Sequence, residues 1–80
     1  MNDSIKKAAE EIANKIASLP KDAEFTFGSF FKDYLFKNSD QFSLMKEVKR
    51  LCEEKGIELE NTQPDAIMGM PWVYKYKKKN

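Results

Sequence analysis

The chain has 80 residues and a net charge of +1, with 14 Lys and Arg against 13 Asp and Glu. That length fits a single domain around one core, and the near-neutral balance excludes an affinity for polyanions driven by overall charge alone. One cysteine, Cys52, and no histidine exclude an internal disulfide and the usual zinc sites.

The first segment predicts an amphipathic helix over residues 3–19. Its apolar side chains recur at steps of three and four, which places them on one face: Ile5, Ala8, Ala9, Ile12, Ile16 and Leu19. Asp3 or Asn2 can accept hydrogen bonds from the free amides at the start. Pro20 disfavours helical geometry at Leu19, so we expect the helix to end there.

The aromatic segment that follows predicts a second helix over residues 27–37. Its pattern is that of a helix buried on one face, with Phe27, Phe30, Phe31, Tyr34 and Leu35. Thr26 is a suitable N-cap, and Phe25 and Phe30 then occupy the two positions of a hydrophobic staple. Residues 23–25 predict a short edge strand that pairs with the later hairpin.

A short polar break precedes a third predicted helix over residues 40–55, with Ser39 or Asp40 as its cap. Gly56 favours a left-handed end to this helix. Its predicted buried positions are Phe42, Leu44, Met45, Val48, Leu51 and Cys52. The outward positions are polar and basic over the first two-thirds and acidic in the last turn: Gln41, Ser43, Lys46, Glu47, Lys49, Arg50, Glu53 and Glu54.

Beyond Gly56 the apolar residues alternate, which predicts strands over residues 57–60 and 72–77. The intervening NTQPDAIMGMP has the Pro and Gly content of a long hairpin loop, and residues 78–80 are expected to form a flexible tail. Three side chains of this loop, Ile67, Met68 and Met70, are unusually apolar for an exposed loop. Together with Trp72 at the start of the second strand they form a candidate partner patch.

Two helices joined by a short turn and followed by a β-hairpin form a helix-turn-helix with a wing. In this layout the chain resembles the winged-helix superfamily. The predicted fold is therefore one α+β domain over residues 1–80, a winged helix-turn-helix with three helices, a C-terminal hairpin wing and a short strand before the second helix. Through SLPKDAEFTFGSFF and PWVYKYKKK the chain is also similar to small domain-of-unknown-function proteins of bacteria and their phages, a resemblance that implies no activity.

The winged-helix resemblance implies DNA binding by the third helix and the wing. Side chains three to four apart on an exposed helix reach base edges together, which suggests base contacts by Gln41, Ser43, Lys46 and Arg50. Phosphate contacts are expected from Lys49, Lys75, Lys77, Lys78 and Lys79. The alternative is that these are the solvated residues that any soluble domain carries on its surface.

Two functions from different classes are consistent with this sequence. One is a transcription regulator of phage or mobile-element type, binding double-stranded DNA as a homodimer because one small module buries little DNA surface. The other is a protein-interaction module on the same scaffold, which meets its partner through the candidate partner patch.

Large aromatic side chains in a small domain are more useful in its core than on its surface. We therefore predict core positions for Phe25, Phe27, Phe30, Phe31, Tyr34 and Phe42. Trp72, Tyr74 and Tyr76 alternate with lysines and offer a stacking platform for single-stranded nucleic acid, but packing of this strand against the first helix is the favoured interpretation.

Catalysis, cofactors and membranes are not expected. Without histidine, a Cys/His or Ser/His/Asp arrangement is impossible, and the three glycines are too far apart for a phosphate loop. No apolar run approaches the roughly 18 residues of a membrane span, and the first residues lack the apolar stretch of a signal peptide. We therefore expect a cytoplasmic protein that is not an enzyme.

Overall fold

In a computed structural model of the chain, residues 3–32, 34, 36–62 and 74–80 are described. The candidate partner patch, Ile67, Met68, Met70 and Trp72, lies outside the described residues. The elements are helix α1 at Asp3–Ala17, strand β1 at Glu24–Thr26, helix α2 at Phe27–Phe31, helix α3 at Asn38–Glu54, strand β2 at Leu59–Asn61 and strand β3 at Lys75–Lys78. Within the described residues, three helices and a three-stranded antiparallel sheet confirm the α+β class.

Helix α1 buries the predicted apolar stripe against α3, and Ile12 and Ile16 are completely covered. It ends at Ala17, before the predicted residue 19. The last turn tightens there, because the Ser18 amide donates to the carbonyls of both Asn14 and Lys15, at 3.2 Å each.

The short strand and the helix cap predicted around Thr26 are confirmed. Strand β1 pairs with β3, and the Thr26 hydroxyl accepts a hydrogen bond from the Ser29 amide at 3.2 Å. The rings of Phe25 and Phe30 lie 5.8 Å apart, as expected for a hydrophobic staple. The local sequence therefore defines where α2 begins.

Helix α2 ends at Phe31, so the predicted span of residues 27–37 is wrong. The segment FGSFF combines glycine, serine and aromatics, all weaker helix formers than alanine or leucine. The chain then turns, with the Tyr34 amide donating to the Phe31 carbonyl at 2.8 Å and the Tyr34 hydroxyl donating to Glu11 of α1 at 2.8 Å. Contacts of Tyr34 with α1 thus replace further helical turns.

Helix α3 begins at Asn38, so Ser39 and Asp40 lie inside it and neither is its cap. Lys37 occupies the cap position without a side-chain cap bond. The other end of α3 matches the prediction, because Gly56 is left-handed (φ 76°) and the Ile57 amide donates to the Cys52 carbonyl at 2.9 Å.

The sheet has the order β1-β3-β2, with all neighbours antiparallel. The inner side of the central strand β3 carries Tyr76, which is buried and whose ring lies 4.9 Å from that of Phe27 and 6.3 Å from that of Phe25. The predicted burial of this strand's aromatic side is confirmed at Tyr76, but its ring contacts are with Phe25 of β1 and Phe27 of α2 and not with α1 as predicted. A buried ring is not available as a stacking platform.

The prediction of a flexible tail at residues 78–80 is wrong. Lys78 belongs to β3, and the Lys79 amide donates to the Glu58 carbonyl at 2.9 Å. The Asn80 side chain accepts from the Glu58 amide at 2.9 Å and donates to the Gly56 carbonyl at 2.7 Å. These bonds fix the segment to the end of α3 and the start of β2.

Candidate nucleic-acid interface

The face of α3 turned away from α1 is the surface most suited to an anionic ligand. Its exposed side chains between residues 39 and 50 are Ser39, Phe42, Ser43, Lys46, Lys49 and Arg50. Among the described side chains of this stretch no carboxylate is exposed, since Asp40 is half-buried and Glu47 is buried. The first exposed carboxylate along α3 after this stretch is Glu53.

Two of the residues predicted to read bases donate hydrogen bonds to nearby backbone carbonyls. The Gln41 amide group donates to the Phe36 carbonyl at 3.1 Å, outside the first turn of α3. The Ser43 hydroxyl donates to the Ser39 carbonyl at 3.3 Å. The Ser43 hydroxyl would have to break its bond before it could donate to a base edge, whereas the Gln41 amide group retains a second N–H but is held toward residue 36.

The Arg50 guanidinium is occupied by two carboxylates of the same helix. Its Nε and one terminal nitrogen bind the two oxygens of Glu47 at 2.9 and 2.5 Å, and its other terminal nitrogen binds Glu54. Each of its three nitrogens therefore already donates to an acceptor. The bidentate donor geometry with which Arg50 could contact a base edge is used within the protein.

Glu47 was predicted to point outward, but it is only 6% exposed. The hydrogen bond from Arg50 holds the pKa of this carboxyl below its usual value, although desolvation acts in the opposite direction. The same hydrogen bond raises the pKa of Arg50, so the pair is fully ionised near neutral pH. The sequence pattern predicted a negative charge on the surface of α3 at Glu47. Because Glu47 is buried and paired with Arg50, its charge is not exposed on that surface.

Phe42 was predicted in the core, but it is 44% exposed. Leu44 and Val48, four residues apart, fill the buried stripe, and Phe42 precedes Leu44 by two residues, which turns it about 200° around the helix. The Lys46 ammonium lies 4.7 Å from the centroid of its ring. An aromatic ring and a cation therefore form one surface cluster on α3.

Lys49 connects α3 to the sheet. Its ammonium lies 5.0 Å from the centroid of the Tyr76 ring, at an open groove of about 610 Å³ between α3 and strands β2 and β3. The groove is lined by Lys49, Glu53, Ile57, Glu58, Leu59, Asn61, Tyr76 and Lys79. Charges of both signs line it, so it is less suited to a polyanion than the first turns of α3.

The lysines of β3, predicted to bind phosphates, differ from one another. Lys77 lies opposite Glu24 on one side and Glu60 on the other, and its ammonium is 3.8 Å from an oxygen of Asp22. Carboxylates on both neighbouring strands thus offset the charge of Lys77. Lys75 and Lys79 are exposed.

Lys78 is buried, contrary to its predicted role as a phosphate contact. Its ammonium donates to the carbonyls of Ala17 and Leu19, at 3.1 and 2.6 Å. A cation at the carboxyl end of a helix satisfies otherwise free carbonyls and interacts favourably with the helix dipole. The alternation of β3 placed Lys78 on the same side as Tyr76, and this was the signal in the sequence for its burial.

Cys52 is buried on the inner side of α3, where the sequence pattern placed it. Desolvation raises the pKa of its thiol to about 11, which keeps the thiol protonated and unreactive. Among the described residues, no three Cys, Asp or Glu side chains come close enough to hold a metal ion.

The sequence matches no protein-family model and no curated protein, and the structure matches no solved structure. Within the described part of the chain, no helix has the length and apolar character needed to cross a membrane.

Proposed function

We propose that the protein binds duplex DNA, with α3 in the major groove of a winged-helix scaffold. The observation that carries the proposal is the exposed face of α3, where Lys46 and Lys49 lie in a stretch without an exposed carboxylate among its described side chains. The chain order α1-β1-α2-α3-β2-β3 and the sheet order β1-β3-β2 support it, since a helix-turn-helix with a wing likewise has two successive helices followed by an antiparallel pair of strands.

The contacts within the protein favour binding to the phosphate backbone over extensive base reading. Lys46 and Lys49 are exposed cations on α3, whereas Gln41, Ser43 and Arg50 already have partners within the protein. Phosphate contacts supply affinity and register without reading sequence. A role in transcription regulation then requires a second copy, because one module of this size covers too little DNA for high specificity.

The proposal is tested by fluorescence anisotropy with a mixed-sequence duplex of about 20 base pairs, at about 50 and 200 mM salt. Binding should weaken steeply with salt. Each phosphate contact contributes about 0.9 to the slope of log affinity against log salt, so replacing Lys46 and Lys49 with alanine should reduce the slope by roughly 1.8.

The matched control replaces Lys7 of α1 and Lys55 of the α3 C-cap with alanine. Both lysines are exposed, and Lys55 lines a groove between α1 and α3, away from the proposed DNA surface. The control has the same net charge as the Lys46/Lys49 variant but should keep the wild-type slope. Equal salt slopes for the two variants would show that Lys46 and Lys49 of α3 do not contact the DNA phosphates.

A second candidate function, binding of another protein, is favoured by the groove between α3 and the sheet. Ile57 and Leu59, both half-buried, give it apolar surface, and Lys49 and Glu53 give it charges of both signs, as in many protein interfaces. Absence of duplex binding at 50 mM salt would favour this candidate. A partner captured by the wild type should then be lost with Leu59→Glu, while Lys7→Ala should retain it.

A further inference from the structure

Phe42 is the one large hydrophobic side chain among the described residues that is strongly exposed, at 44%. It lies in the second turn of α3, on the exposed face of residues 39–50 that the proposed function assigns to DNA. The Lys46 ammonium packs 4.7 Å from its ring centroid. The ring is thus held on the surface beside a cation.

The surroundings of Phe42 are complementary to a polyanion. Lys46 and Lys49 lie one and two turns further along the same exposed face. The neighbouring polar side chains, Gln41 and Ser43, are bonded to backbone carbonyls. In this part of α3, therefore, the ring of Phe42 is the large group whose outward surface is available to a ligand.

In helix-turn-helix proteins, residues near the start of the second helix contact base edges in the major groove. Thymine differs there from the other bases in carrying a C5-methyl group, the natural contact for an apolar side chain. We propose that Phe42 contacts the thymine methyl group, so that the protein prefers A·T pairs opposite the first turns of α3. This inference rests on the proposed function and adds a base preference to it.

The contribution of this contact to the binding free energy has an expected magnitude. Burial of one methyl-sized group contributes about 0.8 kcal/mol, which corresponds to roughly a fourfold change in affinity. Deoxyuridine pairs with adenine as thymidine does but lacks the methyl group. A duplex carrying deoxyuridine at every thymidine position therefore tests the contact while base pairing is retained.

The experiment compares two 20-base-pair duplexes of one A·T-rich sequence, one with thymidine and one with deoxyuridine, at about 50 mM salt. The wild type should bind the thymidine duplex about fourfold more tightly. Phe42→Ala should bind both duplexes equally, and Phe42→Leu should keep part of the difference. Lys7→Ala, a change on α1, should keep the whole difference. The comparison between variants cancels any effect of deoxyuridine on the shape of the duplex.

The outcomes separate this inference from the proposed function. Equal wild-type affinity for the two duplexes, or an unchanged ratio in Phe42→Ala, would overturn the thymine contact while DNA binding stands. No binding of the wild type to either duplex would overturn both, and would make Phe42 a candidate protein contact. Because Phe42 is exposed, Phe42→Ala should melt close to the wild type, so the two proteins can be compared as folded domains.

Discussion

Helix α3 and strand β3 both carry lysines that the sequence predicted to contact DNA, but the surroundings of these lysines differ between the two regions. On α3, Lys46 and Lys49 are exposed and contact aromatic rings. On β3, Lys77 lies among carboxylates and Lys78 donates to the backbone of α1. Residue type was the same in both places, and the neighbouring acceptors determine which charge is available to a ligand.

The comparison also explains how a chain with a net charge of +1 can present a positive surface. Glu47 and Glu54 both bind Arg50, and Glu24 and Glu60 flank Lys77 in the sheet. These carboxylates are placed against cations of their own element or of adjacent strands. The first turns of α3 therefore keep positive charge that the whole-chain sum hides.

The largest effect on this comparison is expected from Lys78→Met, which keeps the aliphatic stem but removes the ammonium. The carbonyls of Ala17 and Leu19 lose a buried donor, which should lower the free energy of unfolding by about 1 to 3 kcal/mol. For a domain of this size the melting temperature should fall by roughly 5 to 20 °C. Lys79→Met, one residue further, should change it little. Equal melting of the two variants would show that Lys78 is not a structural cation.

A smaller effect is expected from Glu47→Gln, which releases Arg50 from its bidentate partner. One additional cation on the DNA-facing helix should tighten duplex binding several-fold at 50 mM salt and steepen the salt slope by up to about 0.9. The matched control, Glu53→Gln, removes the same charge from an exposed position of α3. Identical gains in the two variants would mean that only net charge matters and that Arg50 is not withheld by Glu47.

The Glu47 pair should also make stability depend on pH. Arg50 lowers the folded-state pKa of Glu47 below its usual 4.5. The ionised carboxylate therefore stabilises the folded state above that value, and its contribution disappears as the pH falls through the folded-state pKa. In thermal melts followed by circular dichroism, the difference in melting temperature between the wild type and Glu47→Gln should become smaller below about pH 4.5. A gap that stayed constant with pH would exclude the ion pair as its cause.

The smallest effect is expected from Lys77→Ala. Its ion pair with Asp22 is long and partly exposed, and such pairs contribute about 0 to 1 kcal/mol. Because carboxylates flank Lys77, its loss should leave the DNA salt slope unchanged, whereas Lys46→Ala should lower the slope by about 0.9. A lower slope for Lys77→Ala would place β3 on the DNA and weaken the contrast with α3.

Local signals in the sequence predicted the ends of elements well where a cap or glycine defines them. Thr26 caps α2, and Gly56 ends α3. Periodicity failed for α2, because the aromatic spacing continued beyond Phe31 while contacts of Tyr34 with α1 had replaced the helix. A spacing pattern indicates which side chains are buried, but it does not by itself show whether the backbone that carries them is helical.

The candidate site was harder to predict than the fold. Its residues lie on α3 as expected, but the exposure of Phe42, the burial of Glu47 and the pairing of Arg50 depend on how the helix is rotated against α1. A rotation of one residue position, 100°, is enough to move a side chain from the centre of the buried face to the exposed side. The spacing of apolar residues does not define the rotation of α3 about its axis to better than about one residue position. Which charged side chains of α3 are exposed therefore became clear only from the packing of α3 against α1.

The order of strands in the sheet has a consequence for how the domain is made. The central strand, β3, follows both of its neighbours, β1 and β2, in the chain. During synthesis on the ribosome, β1 and β2 therefore cannot form their strand pairs until residues 75–78 emerge. The carbonyls at the end of α1 likewise bind Lys78 only after this segment has emerged. Most of the domain must be synthesised before its sheet can close, which favours a single late, cooperative folding step over stepwise growth from the N-terminus.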